Sequence, residues 1–303
     1  MLLLTLAFTG CIKEDIDDCP PVHNVVLNFS YYYHNSYTNL FSEKVENVGI
    51  YVYDADGEYV TSFFKDEKDF LLTPAQALIF LKPGTYSLVC WGNVFNHTDI
   101  RAGLVGQPLS VARVFHAGSS RATSDNGDPL FYAPRMSNLY APDTNILTLT
   151  VPETETVVQN VDFTATHKTV EVVVEGFLDN GSICPTVVVS NQPLAYNFRM
   201  QPIVGGSMEY RQRAVEEQWT AKYGVATFYL PLFEMENNVL IQVIRPSNGV
   251  VMHSINLQQY LADNHITLTS LDWDLLTIHV VFNDVGAVIS VEPWNGNNIT
   301  PGK

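Results

Sequence analysis

Any chemistry in this chain would have to come from its eight histidines, four cysteines or 32 carboxylates. The histidines (His23, His34, His97, His116, His167, His253, His265 and His279) nowhere take a metal-binding spacing such as His-Glu-x-x-His. His279 lies between Ile278 and Val280 and should point outward from a strand. Asp54-Ala-Asp56-Gly57 begins like a calcium loop, but the third acidic position and the spaced glutamate are missing. The Asp56-Gly57 pair reads as a hairpin turn. No Gly-x-Ser-x-Gly elbow, Walker loop or Gly-x-Gly-x-x-Gly is present. A glycosidase-type carboxylate pair is defined by geometry, which spacing alone does not supply. The expectation is a non-enzymatic protein that needs no metal and no cofactor.

Cys11 is the exception, because its setting predicts modification. Leu2–Phe8 is an apolar run too short to span a bilayer, which takes about 20 residues. It ends in Thr9-Gly10-Cys11, which resembles a bacterial lipoprotein cleavage site: the signal is cut before Cys11 and the thiol is acylated. The charged segment that follows, Ile12 to Asp18, is too polar to bury surface and reads as a solvated tether. Within it, Lys13-Glu14-Asp15 resembles the export tag that sends lipoproteins of certain Gram-negative gut and oral bacteria to the outer face of the outer membrane. One acyl chain anchors marginally, at about 0.8 kcal/mol per buried CH₂, and a second makes attachment durable.

With 32 acidic and 16 basic side chains the net charge is −16, which disfavours nucleic acid and anionic lipid head groups. Once Cys11 is acylated, Cys19, Cys90 and Cys184 remain, enough for one intramolecular bridge. Cys19–Cys90 is the candidate disulfide, with roughly 4 kcal/mol available from closing so long a loop. Buried free thiols are the other reading.

The elements around these residues are strands. Val25, Leu27, Phe29, Tyr31 and Tyr33 alternate with Val26, Asn28, Ser30, Tyr32 and His34, the period of a sheet with unlike faces. Val48–Tyr53, Tyr86–Trp91, Leu147–Val151 and Thr169–Gly176 read as strands. So do Thr186–Ser190, Val225–Leu230, Val239–Ile244, Gly249–Ile255, Leu276–Phe282 and Gly286–Val291. Pro74–Leu81 and Leu257–Ala262 are short helix candidates. Many short strands between Gly, Pro and Asn turns predict an all-β fold built from β-sandwiches. The polar break Glu153–Thr156 suggests a division into a signal (1–10), a lipidated acidic tether (11–22), an N-terminal sandwich (23–155) and a C-terminal sandwich (156–303).

A set of phrases in order resembles the FimB-like anchor family of type V fimbriae. They begin with the tether from Cys11 to Cys19-Pro20 and continue through Val48–Gly57, Leu81–Asn93 and Asp128-Pro-Leu-Phe-Tyr-Ala-Pro134. The strand around Glu171–Phe177, then Asn248-Gly249 with Asn256–Leu261, and the closing Val291-Glu-Pro-Trp-Asn295 complete the set. Gly205–Lys222 carries no such phrase.

The resemblance implies two transthyretin-like β-sandwich domains in tandem. It also implies an outer-membrane lipoprotein, facing the exterior, that anchors a surface fimbria, with fimbrial length control and cell adhesion as associated roles. Its partners would be fimbrial shaft subunits, through β-strand-mediated contact, and the membrane, through lipid on Cys11. Shaft subunits of such fimbriae lose a first strand to an arginine-specific protease and accept a neighbour's strand in its place. Here no arginine lies between Cys11 and Arg101, so that cut could not free Val25–Tyr33. Arg113 and Arg121 fall in loop-like sequence. The last strand (Gly286, Ala287, Val288, Ile289, Ser290 and Val291) is a candidate donor to a shaft subunit, or else it completes the chain's own second sandwich. The rival readings are a shaft or tip subunit and a glycan-binding surface lipoprotein. The latter would show exposed coplanar aromatics among Trp91, Trp219, Trp273 and Trp294.

Overall fold

The computed structural model describes residues 24–33, 37–70, 75–116, 123–135, 146–203, 206–216, 223–231, 238–263, 265, 275–283 and 286–294. The chain is all-β, with two short α-helices and brief 3-10 turns among the described residues. None of those helices is long and apolar enough to cross a membrane.

The first sheet runs β3 (Tyr59–Asp66), β2 (Asn47–Asp54), β5 (Gly84–Gly92), β9 (Phe131–Ala133), β11 (Val157–Ala165), β1 (Val25–Tyr31), β4 (Gln76–Ile79), with β10 (Leu147–Val151) also on β5. Its two arms close on one core. Val25, Leu27, Phe29 and Tyr31 meet Val48, Ile50, Val52, Leu88, Leu149 and Phe163 there, and Phe29 stacks on Phe41 at 5.2 Å. The alternation read for β1 holds from Val25 to Tyr31; His34 lies outside the described residues. The Asp56-Gly57 hairpin also holds. Gly57 takes φ +78°, and the Asp54 carboxylate accepts the amides of Asp56 at 3.0 Å and Glu58 at 2.9 Å. That carboxylate therefore ties a turn.

Two expectations need correction. The Pro74–Leu81 helix is a strand over Gln76–Ile79, antiparallel to β1. Ala75, Ala77, Ile79 and Leu81 are all buried, a period of two, so core packing overrides helix propensity. The polar break at Glu153–Thr156 is also not where one sheet hands over to the other. The strand after it, β11, runs parallel to β1 from Val25↔Val157 to Tyr31↔Phe163. The handover falls at Thr166, one strand later than the polarity of the sequence suggests.

The second half is a sandwich of two five-stranded sheets. One is β16 (Val215–Glu216), β17 (Tyr223–Pro231), β12 (His167–Glu175), β20 (Leu275–Asn283), β21 (Gly286–Trp294). The other is β19 (Val251–Asn256), β18 (Leu240–Ile244), β13 (Thr186–Pro193), β15 (Ser207–Arg213), β8 (Thr123–Ser124). Between them Val170, Val172, Phe228, Ile278 and Val280 pack on Val187, Val189, Tyr210, Ile241 and Val243. The predicted helix forms as α2 (Leu257–Asp263). Strand β15 lies in the stretch that carried no sequence signal.

A third, three-stranded sheet joins the halves: β14 (Ala195–Asn197), β7 (Arg113–His116), β6 (Thr98–Arg101). Strands β6 and β7 come from the first half and β14 from the second. In return β8, from the first half, pairs in parallel with β15 of the second. Just past β14 the Asn197 side chain accepts the amides of Arg199 and Gln201 at 2.9 and 3.0 Å, a tight turn that presents Phe198. That ring is 1% exposed and sits against Tyr51 at 5.2 Å, Trp91 at 6.2 Å and Tyr53 at 6.3 Å, between ring centroids. It is a knob from one half seated on the sheet of the other. Phe198→Ala should lower unfolding free energy by about 3–4 kcal/mol, read as a drop in the urea midpoint.

Candidate functional site

The residues expected to carry lipid and export, Cys11, Lys13, Glu14 and Asp15, lie outside the described residues, as does Cys19. At the other end of the candidate disulfide, Cys90 is a free thiol on β5, buried in the first core. Burial pushes its pKa up to about 12, which makes it a poor nucleophile at neutral pH. Cys184 is a half-buried free thiol.

The first strand of the fold is β1. It occupies an interior position, parallel to β11 on one side and antiparallel to β4 on the other. Its half-exposed positions are tied as well. Asn28 Nδ2 donates to Asn160 at 3.1 Å and its Oδ1 accepts Gln76 Nε2 at 2.9 Å, while the Ser30 hydroxyl donates to Asp162. Asn24 holds the strand entry, exchanging two hydrogen bonds with the backbone of Leu81 at 2.7 and 3.0 Å. Arg113, expected in a loop, lies in β7, and Arg101 ends β6; Arg121 is outside the described residues.

The last strand, Gly286–Val291 with its continuation to Trp294, forms β21 at the edge of its sheet. It pairs antiparallel with β20 from Asn283↔Gly286 to Leu275↔Trp294. It completes the chain's own second sandwich, and among the described residues β20 is its single strand neighbour. Its outer edge is a row of backbone donors and acceptors of the kind that accepts another strand.

The Asp128–Pro134 phrase turns out to hold the halves together. Asn126 Nδ2 donates to Thr227 O at 3.1 Å and its Oδ1 accepts Tyr229 N–H at 2.9 Å, so one side chain closes part of the edge of β17. A Cβ on Gly127 would lie 2.4 Å from Tyr229 O, so glycine is required for that approach. Buried Asp128 accepts the amide of Phe95 at 3.0 Å. The Leu130 carbonyl accepts from Thr166 N–H at 2.9 Å and Thr166 Oγ1 at 3.0 Å, with His167 Nδ1 also 3.0 Å away. The His167 ring lies edge-on between Phe131 at 5.7 Å and Tyr229 at 5.6 Å. Although the residue keeps some accessible surface, removal of its ring from water lowers its pKa to about 4. No sequence signal marked Asn126, Thr166 or His167, since each acts through backbone groups far along the chain.

Among the tryptophans, Trp91 is fully buried, against Tyr132 at 5.0 Å. Trp219 and Trp273 lie outside the described residues. Burial raises the pKa values of Tyr51, Tyr53, Tyr132 and Tyr210, as expected of core phenols. Asp179 is held low by the hydroxyl and amide of Ser247, a surface loop tie.

The described residues form an all-β scaffold whose sheet edges offer backbone hydrogen bonding. The family model of fimbrillin-A associated anchor proteins Mfa1 and Mfa2 matches residues 16–300, and the chain belongs to that family. Solved structures share the fold. The fimbrial anchor protein Mfa2 from Porphyromonas gingivalis is 17% identical with a TM-score of 0.62, over 89% of this chain and 97% of that one. A candidate polysaccharide-binding protein from Bacteroides thetaiotaomicron is 13% identical with a TM-score of 0.67, over 90% and 99%. A candidate adhesin from the same organism is 17% identical with a TM-score of 0.66, over 92% and 98%. No curated protein matches the sequence significantly.

The burial of His167 sets a pH dependence. Its pKa is about 4 when folded against 6.5 as the ordinary value, so between those pH values the unfolded chain binds more protons. Stability should therefore fall as pH drops from 6.5 towards 4, with His167 contributing about 2–3 kcal/mol. Urea unfolding at pH 7 and pH 4.5 should show a smaller difference for His167→Gln than for the unaltered protein.

Proposed function

We propose that this protein is the lipid-held base of a surface fimbria: a structural, non-catalytic anchor that joins fimbrial subunits to the outer membrane. The observation that carries the reading is the lodging of β1. It has strand neighbours on both sides, and the chain offers no arginine between Cys11 and Arg101 at which a polymerisation protease could free it. A subunit that keeps its first strand has no vacated groove for a neighbour's strand, so it can end a polymer and not extend it.

Acylation of Cys11 would supply the membrane attachment, with Lys13-Glu14-Asp15 directing the protein to the cell exterior. Contact with the shaft subunit would be strand-mediated. Donation of β21 would require breaking its nine-residue ladder to β20, whereas adding a strand to an edge breaks nothing, so edge addition is the favoured form. Membership of the anchor family supports the role, and the burial of Trp91 removes one aromatic from the glycan-platform alternative.

Intact mass spectrometry of the protein from envelopes bearing fimbriae tests the reading. The expected species begins at an acylated Cys11, is otherwise uncut and co-purifies with fimbriae. A mature N-terminus beyond Tyr33 would identify a polymerising subunit instead.

A further inference from the structure

A groove on the first half carries exposed apolar side chains at its rim. It has a volume of about 440 Å³ and lies between β3 and the end of β6, with Tyr51 and Ile100 among its lining and Phe64 and Leu104 on it. Phe64 is 66% exposed, Leu104 73% and the adjacent Val105 77%. Three large apolar side chains this exposed and this close form a patch that marks an interaction site.

Around the groove, Tyr59, Ser62, Arg101 and Gln107 are already engaged. Gln107 Oε1 accepts the Leu104 amide at 2.8 Å, and the Tyr59 hydroxyl donates to Ser62 Oγ at 3.0 Å. Arg101 is paired to Asp99 at 2.8 Å and lies 4.6 Å over the Phe115 ring. A sugar, which needs several side-chain hydrogen bonds, would find few on offer. The backbone is another matter. Among the described residues β3 has only β2 as a strand neighbour, and β6 only β7. The outer edge of β3 is started and then abandoned. Tyr59 N–H donates to Gln107 O at 2.7 Å and Gly106 N–H donates to Tyr59 O at 2.9 Å. Glu58 bridges antiparallel to Pro108, and on the Thr61 side the chain turns away at Leu104–Gln107, where Gln107 N–H donates to Leu104 O at 2.9 Å. The edge from Thr61 to Lys65 is left without a strand.

We propose that this groove seats an extended strand of a fimbrial subunit, which continues the ladder begun by Gly106–Pro108 along β3 and places an apolar side chain between Phe64 and Leu104. Open backbone groups beside an apolar socket are the two requirements of strand addition: the first supplies affinity, the second register. The proposal rests on the anchor reading above and names the surface by which that anchor would hold its neighbour.

The test places the photo-crosslinker p-benzoylphenylalanine at position 64, and separately at exposed Leu178 as a control, in full-length protein in fimbriated cells. Crosslinked peptides are then identified by mass spectrometry. The expected result is a crosslink from position 64 to one short segment of a fimbrial subunit and none from position 178. Phe64→Glu with Leu104→Glu, both at exposed positions that should leave the melting temperature unchanged, should reduce fimbriae recovered with the protein roughly tenfold. If fimbriae co-purify but position 64 stays silent, or links to a second copy of this chain, the groove proposal falls and the anchor reading stands. Oligosaccharide binding that depends on Phe64 would also overturn it. If no fimbriae accompany the unaltered protein, the anchor reading itself fails.

Discussion

Strands β2 and β5 are apolar on both faces, and the rest of the molecule is organised by the need to cover them. Their inner face (Val48, Ile50, Val52, Leu88, Cys90) is buried by the first sandwich. Their outer face (Tyr51, Tyr53, Val89, Trp91) would face water if the sandwich stood alone. Leaving those four side chains exposed would forfeit several kcal/mol of transfer free energy, at roughly 25 cal/mol per Å². The cover consists of β6, β7 and the turn of β14 that carries Phe198, and the last of these belongs to the second half. The two halves are therefore bound by a shared core as well as by the chain between them. The Asn126–Leu130 segment ties the same two halves through the Asn126 side chain, and a Cβ on Gly127 would meet Tyr229 O at 2.4 Å.

Much of this was legible in the sequence. Val48–Tyr53 is a continuous apolar run, the mark of a strand buried on both faces, and β12, β17, β18 and β20 were marked by alternation or apolar content. What escaped reading was whatever depends on partners distant in the chain. Gln76–Ile79 looked helical because local propensity says nothing about the β1 edge it pairs with. Strand β11 looked like the start of a new unit because Glu153–Thr156 is polar, though polarity there marks only a turn. Strands β6, β7, β14 and β15 are short or mixed in composition and are held by neighbours no window of sequence contains. Of the candidate site, the lack of an arginine between Cys11 and Arg101 was readable, whereas the groove beside β3 was not, because Phe64 and Leu104 are forty residues apart.

The edges of the sheets are managed unequally. The edge of β17 is closed by β16 and by the Asn126 side chain, and β13 and β12 are interior. Strand β21 and the far part of β3 are left open among the described residues. Open edges invite association, and among the described residues β4, β6 and β19 also end their sheets with a single strand neighbour.

The place of β1 has a mechanical side. In a protein tethered through its N-terminus, tension from the attached structure enters the fold at Val25, the first residue of a strand flanked on both sides. A pull along that strand stretches the rungs to β11 and β4 together and does not peel them one by one. The two-sided pairing of β1 would thus let it share a sudden load across both ladders, as a clamp does.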